Sequence, residues 1–367
     1  MSTKLHVLVP DGDSTWALSV IQCLSHVERY KLFVLSNKKR TATKYSKYTS
    51  YYKYYERTTE ANWLEIIKNE IQANNISIVV PIAESELYFF IKHKETISQF
   101  SKIIPLPELT NFEIAKEKRL LSEFAQTNEI RHPRSFNITS ESDKQAMLST
   151  INFPILIKPK DQKGGDGIIK ITTKADFEKQ IPNISQPLFI QEYIEGYDID
   201  CSVLCRNGKI ITYTIQQGTL QGHSPFAPQL GFDFVDNDKV FELVREVMLK
   251  LDWSGVAHLD MRYDKKANDY KLIEINPRFW GSIEASRVAG INFPDLVIQL
   301  AHGQPVLNTG YEHTSYMRLK GVFSSIKRRP AFILKRSYLM NNTEVKTFLN
   351  DPLPTLYKFR EWLGRQF

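Results

Sequence analysis

The chain has 367 residues, 42% hydrophobic and 24% charged, with a formal net charge of +7. That length exceeds one ordinary core and predicts two or three packed lobes of a soluble globular protein. No apolar run approaches the ~20 residues of a membrane span, and the opening apolar stretch is too short, broken at Asp11, for a signal peptide, so a cytoplasmic protein is expected.

The three sparse cysteines agree with a reducing compartment. Cys201 and Cys205 have no second pair or histidine at zinc spacing and read as small core residues. Charge is unevenly held: from Arg318 to Phe367 eleven Lys and Arg stand against three Asp and Glu, leaving −1 for everything before. A basic tail suits nucleic acid or an anionic membrane surface, but no nucleic-acid motif accompanies it, and no nucleic-acid partner is expected.

In chain order, Leu5 to Val9 predicts a buried strand, Asp11 to Ser14 a turn with capping residues, and Trp16 to Leu24 a helix. Such a start suggests a Rossmann-like unit. The turn lacks G-x-G-x-x-G, and its two aspartates would repel a pyrophosphate. Lys31 to Leu35 and Ile76 to Val80 read as further strands and Asn62 to Gln72 as an amphipathic helix, giving a parallel sheet of about four or five strands that ends near Pro105 and Pro107. The intervening Lys38 to Thr58 is rich in Tyr and Lys. It could stack on bases or sugars, but a mobile loop over the domain is the expected form. Asn111 to Gln126 reads as one helix of alternating charge.

From Phe153 to Ile171 an apolar strand ends in Lys158-Pro159, a loop carries Gly164, Gly165 and Gly167, and a second strand leaves at Ile168. Glycines let amides approach anionic oxygens closely and lysine adds a point charge, a pattern suited to phosphate. Leu188 to Asp200 is a strand entering a turn at Gly196. Ser202 to Ile215 predicts a hairpin about Asn207-Gly208, followed by a long loop in which His223 is a candidate substrate contact or proton carrier. Asp238 to Leu251 predicts an amphipathic helix, Glu284 to His302 a helix, turn and helix, and the basic tail beyond Thr314 a subdomain packed on the body.

The stretch Ser254 to Ser282 concentrates the chemistry. Val256, His258, Asp260 and Arg262 alternate along one strand, a DKKAND turn follows, and Tyr270 to Ile275 returns. Residues two apart share a face, so Glu274 and Asn276 point together, with Asp260 able to stand opposite Glu274. Two carboxylates and an amide oxygen form the oxygen-only set that magnesium prefers. Arg278, after Pro277 ends the ladder, adds a positive fork.

The string EINPRFWGS after an acid-bearing strand resembles the metal-binding end of the ATP-grasp superfamily, in the branch similar to carbamoyl-phosphate synthetase and the carboxylate–amine ligases. Matches run in order over roughly 110 to 305. The resemblance implies an α/β and α+β architecture: a Rossmann-like pre-ATP-grasp domain (1–108), an N-subdomain with a glycine flap (109–190), a C-subdomain with the metal site (191–313) and a basic C-terminal subdomain or tail (314–367). It implies phosphate contacts from Lys118, Lys158, Gly164 and Gly165, with Glu117 standing where the family usually has aspartate. Gln191, Glu192, Tyr193 and Ile194 fall on the adenine linker, where either Gln191 or Glu192 could fill the family's acidic position, and Asp198 falls on the ribose acid. Asp260, Glu274 and Asn276 would hold magnesium (manganese as alternative), and Arg278 would be catalytic. Ser282 and His223 are the substrate candidates.

The implied reaction activates a small-molecule carboxylate as acyl phosphate at the expense of ATP and joins it to an amine, releasing ADP and phosphate. A homodimer is implied by resemblance alone. The alternatives are a phosphotransferase, a thiol ligase, or a non-catalytic ATP-binding protein working through its basic tail.

Overall fold

The structure is a computed structural model that describes residues 4–158, 167–222, 224, 226–307 and 310–364. The first sheet contains β1 (Leu5–Val9), β2 (Tyr30–Ser36), β3 (Thr49–Tyr54), β4 (Ile78–Val79) and β5 (Lys102–Ile103), all parallel in the order β3-β2-β1-β4-β5. The near-continuous apolar runs of β1 and β2 are those of strands covered on both faces. Helices Ala17–Leu24 and Glu60–Ala73 supply part of that cover through Val20, Ile21, Trp63 and Ile67. Asp11, in the turn after β1, accepts the backbone N–H groups of Ile82 and Ala83 at 3.2 and 2.7 Å and so ties that turn to the segment following β4.

Two local expectations are corrected. Lys38 to Thr58 is not a loop lying over the domain: after a short 3-10 turn at Ala42–Tyr45 it supplies β3, the edge strand beside β2. Tyrosine-rich segments fit a half-buried pleated surface, and here Tyr51 lies 5.5 Å from Phe33 while Lys53 pairs with Glu70 at 2.7 Å. The single helix expected over Asn111 to Gln126 is two, Leu109–Lys116 and Lys118–Thr127. The break falls at Glu117, whose extended backbone and carboxylate cap the second helix by accepting the N–H groups of Arg119 and Leu120.

The second sheet is antiparallel, β6 (Ser135–Ile138), β7 (Ile155–Lys158), β8 (Ile169–Ile171) and β9 (Leu188–Glu192) in the order β6-β9-β7-β8. It has its own small core of Ile138, Met147, Ile155, Phe177 and Ile190. The third sheet joins β10 (Asp198–Arg206), β11 (Lys209–Leu220), β12 (Gly231–Phe234), β13 (Gly255–Asp264), β14 (Asp269–Asn276) and β15 (Ser315–Met317) in the order β14-β13-β10-β11-β12-β15. Its β10–β11 hairpin turns at Asn207 and Gly208, φ +49° and +72°, the paired left-handed conformations that an Asn-Gly turn favours. Cys201 and Cys205 are buried free thiols in β10. One continuous core runs from the parallel sheet into this third sheet, through Phe112 and Leu121 of the two short helices to Trp253, Leu259 and Trp280.

Candidate active site

Register builds the site. Across four neighbouring strands, Glu274 stands opposite Asp260, Asp260 opposite Asp200, and Asp200 opposite Gln216. Facing residues of antiparallel strands project to the same side, so these four form one transverse row. The next row, two residues along, holds Asn276, His258, Ser202 and Thr214. The ribbon predicted from Ser254 to Ser282 is therefore present with Asp260 and Glu274 paired. Asp200, His258 and Gln216, which sequence reasoning did not assign, extend it toward the sheet's middle. The usable signal was period two: Asp200 lies two residues after Asp198, and His258 two before Asp260.

Hydrogen bonds tie the rows together. Asn276 donates Nδ2–H to Asp260 Oδ2 at 3.2 Å, while its Oδ1 accepts from Arg278 at 2.7 Å. His258 places Nε2 3.2 Å from Asp260 Oδ1 and Nδ1 2.9 Å from the Ser202 hydroxyl, and its ring stacks on Trp280 at 5.4 Å. One donor atom from each of Asp200, His258 and Asp260 lies within 4.8 Å of the others. Gln216 donates to Asp200 at 3.4 Å and to Ser282 at 2.9 Å, so Ser282 is buried beneath the row with its hydroxyl engaged.

The electrostatics follow from this crowding. Burial and then the neighbouring Asp260 raise Glu274 to about 7. Burial also pushes Asp260 upward, but hydrogen bonds from His258 and Glu274 and the charge of Arg278 outweigh it and hold Asp260 below the usual range. The two carboxyls thus differ in proton affinity, Glu274 holding its proton the more tightly. Burial, with Asp260 and Asp198 nearby, carries Asp200 well above its ordinary value. Lys158 at the end of β7 is buried; desolvation lowers it, Glu274 and Asp260 pull it back, and Lys118 opposes them. Lys118 and Lys158 thus stand within electrostatic reach of the acid pair, though they come from other elements.

The remaining candidates are distributed as follows. Gln191 and Glu192 end β9 on opposite faces: Gln191 is buried and donates to Ser135 at 3.0 Å, whereas Glu192 turns toward Lys271 at 3.5 Å. Tyr193 donates its N–H to Pro154 at 3.1 Å and carries Lys170 over its ring at 3.6 Å, and Ile194 is buried. Asp198 is paired with Arg262, whose guanidinium also binds the carbonyls of Ile194 at 2.6 Å and Gly196 at 2.8 Å. Arg262 thereby fastens both ends of the 193–197 linker. Arg278 is anchored to Glu84 at 2.9 Å, a residue at the start of the helix Glu84–Lys92 beside the parallel sheet. Sequence reasoning gave no signal for Glu84, which lies 194 residues away. Gly164, Gly165 and His223 lie outside the described residues.

Crowded, half-buried carboxyls with an amide oxygen beside them and lysines within electrostatic reach fit a divalent cation, whose charge would relieve their mutual repulsion. Asp260, Glu274 and Asn276 could supply the donors, as the sequence led us to expect, and Asp200, His258 and Asp260 are a second grouping close enough to do so; the Asn276 oxygen would exchange its Arg278 partner for the ion.

A family model described as "ATP-grasp in the biosynthetic pathway with Ter operon" matches residues 185–322, spanning the strands that carry the acid row. The D-alanine–D-alanine ligase of Carboxydothermus hydrogenoformans is 24% identical over 180 residues, 44% of this chain and 58% of the ligase. The carbamoyl phosphate synthase large chain of Thermoanaerobacter pseudethanolicus is 21% identical over 253 residues, 64% of this chain and 23% of that one. The chain thus spans only part of the length of these curated relatives. Among solved structures, N5-carboxyaminoimidazole synthetase from Staphylococcus aureus complexed with ADP superposes with a TM-score of 0.69 at 14% identity, covering 92% of this chain and 87% of that one. L-amino acid ligase from Bacillus licheniformis gives 0.60 at 17% identity, covering 82% and 74%. The chain thus shares its fold with those enzymes, and its residues 185–322, which carry the acid-bearing strands, are similar to the ATP-grasp family that the model describes.

Proposed function

We propose that the protein is an ADP-forming carboxylate–amine ligase. The observation that carries this reading is the transverse row Glu274, Asp260, Asp200 facing the electrostatic field of Lys118 and Lys158. Acids on one sheet and lysines from other elements are what a metal–triphosphate needs on its two sides. The similarity to a solved synthetase complexed with ADP and to a solved L-amino acid ligase supports the same reading.

In this reading, residues 109–190 and 191–313 hold ATP between them. The linker from Gln191 to Ile194 lies along the adenine and Asp198 near the ribose, while Lys118 and Lys158 neutralise phosphate oxygens. Residues 1–108 help to shape the pocket for the second substrate. Asp260, Glu274 and Asn276 would hold magnesium, whose chemistry is to draw negative charge from the terminal phosphates. A substrate carboxylate oxygen attacks the γ-phosphorus as the bond to the bridging oxygen breaks and ADP leaves. The amine nitrogen then attacks the acyl carbon, loses a proton, and phosphate departs. Arg278, oriented by Glu84 and Asn276, sits where developing oxyanion charge can be steadied.

The test is an ADP-release screen of carboxylate and amine pairs with mass detection of products. Release that needs both partners and yields an amide supports the ligase. Release without amine, leaving a stable phosphorylated product, would make it a phosphotransferase, and a thioester product would make it a thiol ligase. ATP binding without turnover across the screen would favour a non-catalytic role.

A further inference from the structure

The segment Lys327 to Arg336, KRRPAFILKR, contains five cations and no acid. It leaves the helix Leu319–Arg328, which is seated on the body through buried Gly321 and Val322, and turns through Pro330–Leu334 before the helix Arg336–Asn341. At that turn Ile333 is 57% and Leu334 73% exposed, with Phe323 at 64% on the preceding helix. Among the described residues none of Lys327, Arg328, Arg329, Lys335 and Arg336 forms an ion pair. The same terminal region exposes Leu353, Leu356, Phe359 and Trp362, three residues apart along the helix Pro352–Leu363.

We infer that this turn docks the protein onto an anionic lipid surface. Aliphatic side chains at the tip of a turn, bracketed by unpaired cations, match the boundary between acyl chains and acidic headgroups. Lysine and arginine stems can lie along the apolar side while their charges reach the headgroups. Two other occupants fit less well. A second copy meeting this patch about a two-fold axis would bring the same five cations against each other. Nucleic acid rewards aromatic stacking and gains nothing from Ile333 and Leu334 at the tip.

The experiment is co-sedimentation of the full chain with vesicles of phosphatidylcholine, with and without phosphatidylglycerol, at low and high salt. Binding is expected only to the phosphatidylglycerol vesicles and should weaken as salt screens it. A basic side chain near such a surface is worth about fivefold in affinity, so Lys335→Glu with Arg336→Glu should weaken binding by at least about tenfold. Ile333→Asp with Leu334→Asp should also abolish sedimentation. In both double variants the circular dichroism spectrum and the ATP-induced thermal shift should match wild type, which excludes misfolding as the cause. No binding to acidic vesicles, or binding retained in both variants, would overturn the inference. So would a dimer, seen by light scattering, that the Ile333/Leu334 variant dissolves, or a DNA affinity that the same variants remove while vesicles stay unbound.

Discussion

Glu274 gives the sharpest contrast between activity and stability. Its carboxyl is held up to about 7 by burial and then by Asp260, so the isolated fold already favours its neutral form. Glu274→Gln keeps that neutral shape and removes the charge that a cation and a triphosphate would use. Turnover should fall by at least ~10²-fold, while the melting temperature without metal stays level or rises. Wild-type-like ADP release in this variant would remove the metal assignment. Asn276 and Arg278 are linked by a 2.7 Å bond, so their effects on rate should not add. A double-mutant cycle on kcat would show it.

Two elements carry predictions of their own. In the linker between β9 and β10, a Cβ on Gly196 would lie 1.7 Å from the Tyr263 carbonyl oxygen, so this glycine permits a close backbone approach. Gly196→Ala should cost roughly 1–3 kcal/mol in urea unfolding. It should also weaken ATP binding, because the displaced linker loses its Arg262 tie.

The helix Ile283–Val288 holds Glu284, buried beside a cavity of about 230 Å³ with His26, Arg287, Lys346 and Thr347 on its walls. Burial raises Glu284 to about 7, with Glu344 adding and Thr347 and Arg287 opposing. The folded chain therefore binds this proton more tightly than the unfolded chain, whose value is near 4.5. Its contribution to stability is full below about pH 4.5 and is lost as pH rises through about 7. Glu284→Gln should flatten that dependence by about 3 kcal/mol, read as the difference between the two proteins' urea stabilities across this range.

Over the whole molecule, the bond from Arg278 to Glu84 joins the acid ribbon to the parallel sheet's flank. Supporting groups of this kind are worth 10–100-fold in function. Glu84→Ala should accordingly lower kcat by about tenfold and leave ATP binding, measured by equilibrium titration, near wild type, because Glu84 holds Arg278, which is proposed to act on the reacting oxygens and not on the nucleotide. An equal loss in ATP affinity would place Glu84 in nucleotide binding instead.

Period-two alternation and the order of local motifs made the acid ribbon legible before any coordinates, because side-chain direction along a strand depends only on residue parity. The parallel sheet was legible from a different signal, the alternation of apolar strand-like runs with helical patterns. Asp260 opposite Glu274 was legible within one hairpin, but pairing beyond that hairpin was not. Asp200 joined the row only when β10 settled against β13 in a register set by the buried Cys201, Val203, Leu259 and Ala257. The tyrosine-rich Lys38 to Thr58 had the composition of a loop and became an edge strand, because β2 offered it open hydrogen-bonding groups. Glu117, read as part of one helix, divides two, because its side chain caps the second more favourably than it continues the first. The sequence by itself determined which residues could share a face. Only the tertiary structure decided which faces meet, since the register of β10 on β13 and the Arg278–Glu84 contact, which joins residues 194 apart, arise from packing between segments distant in the chain.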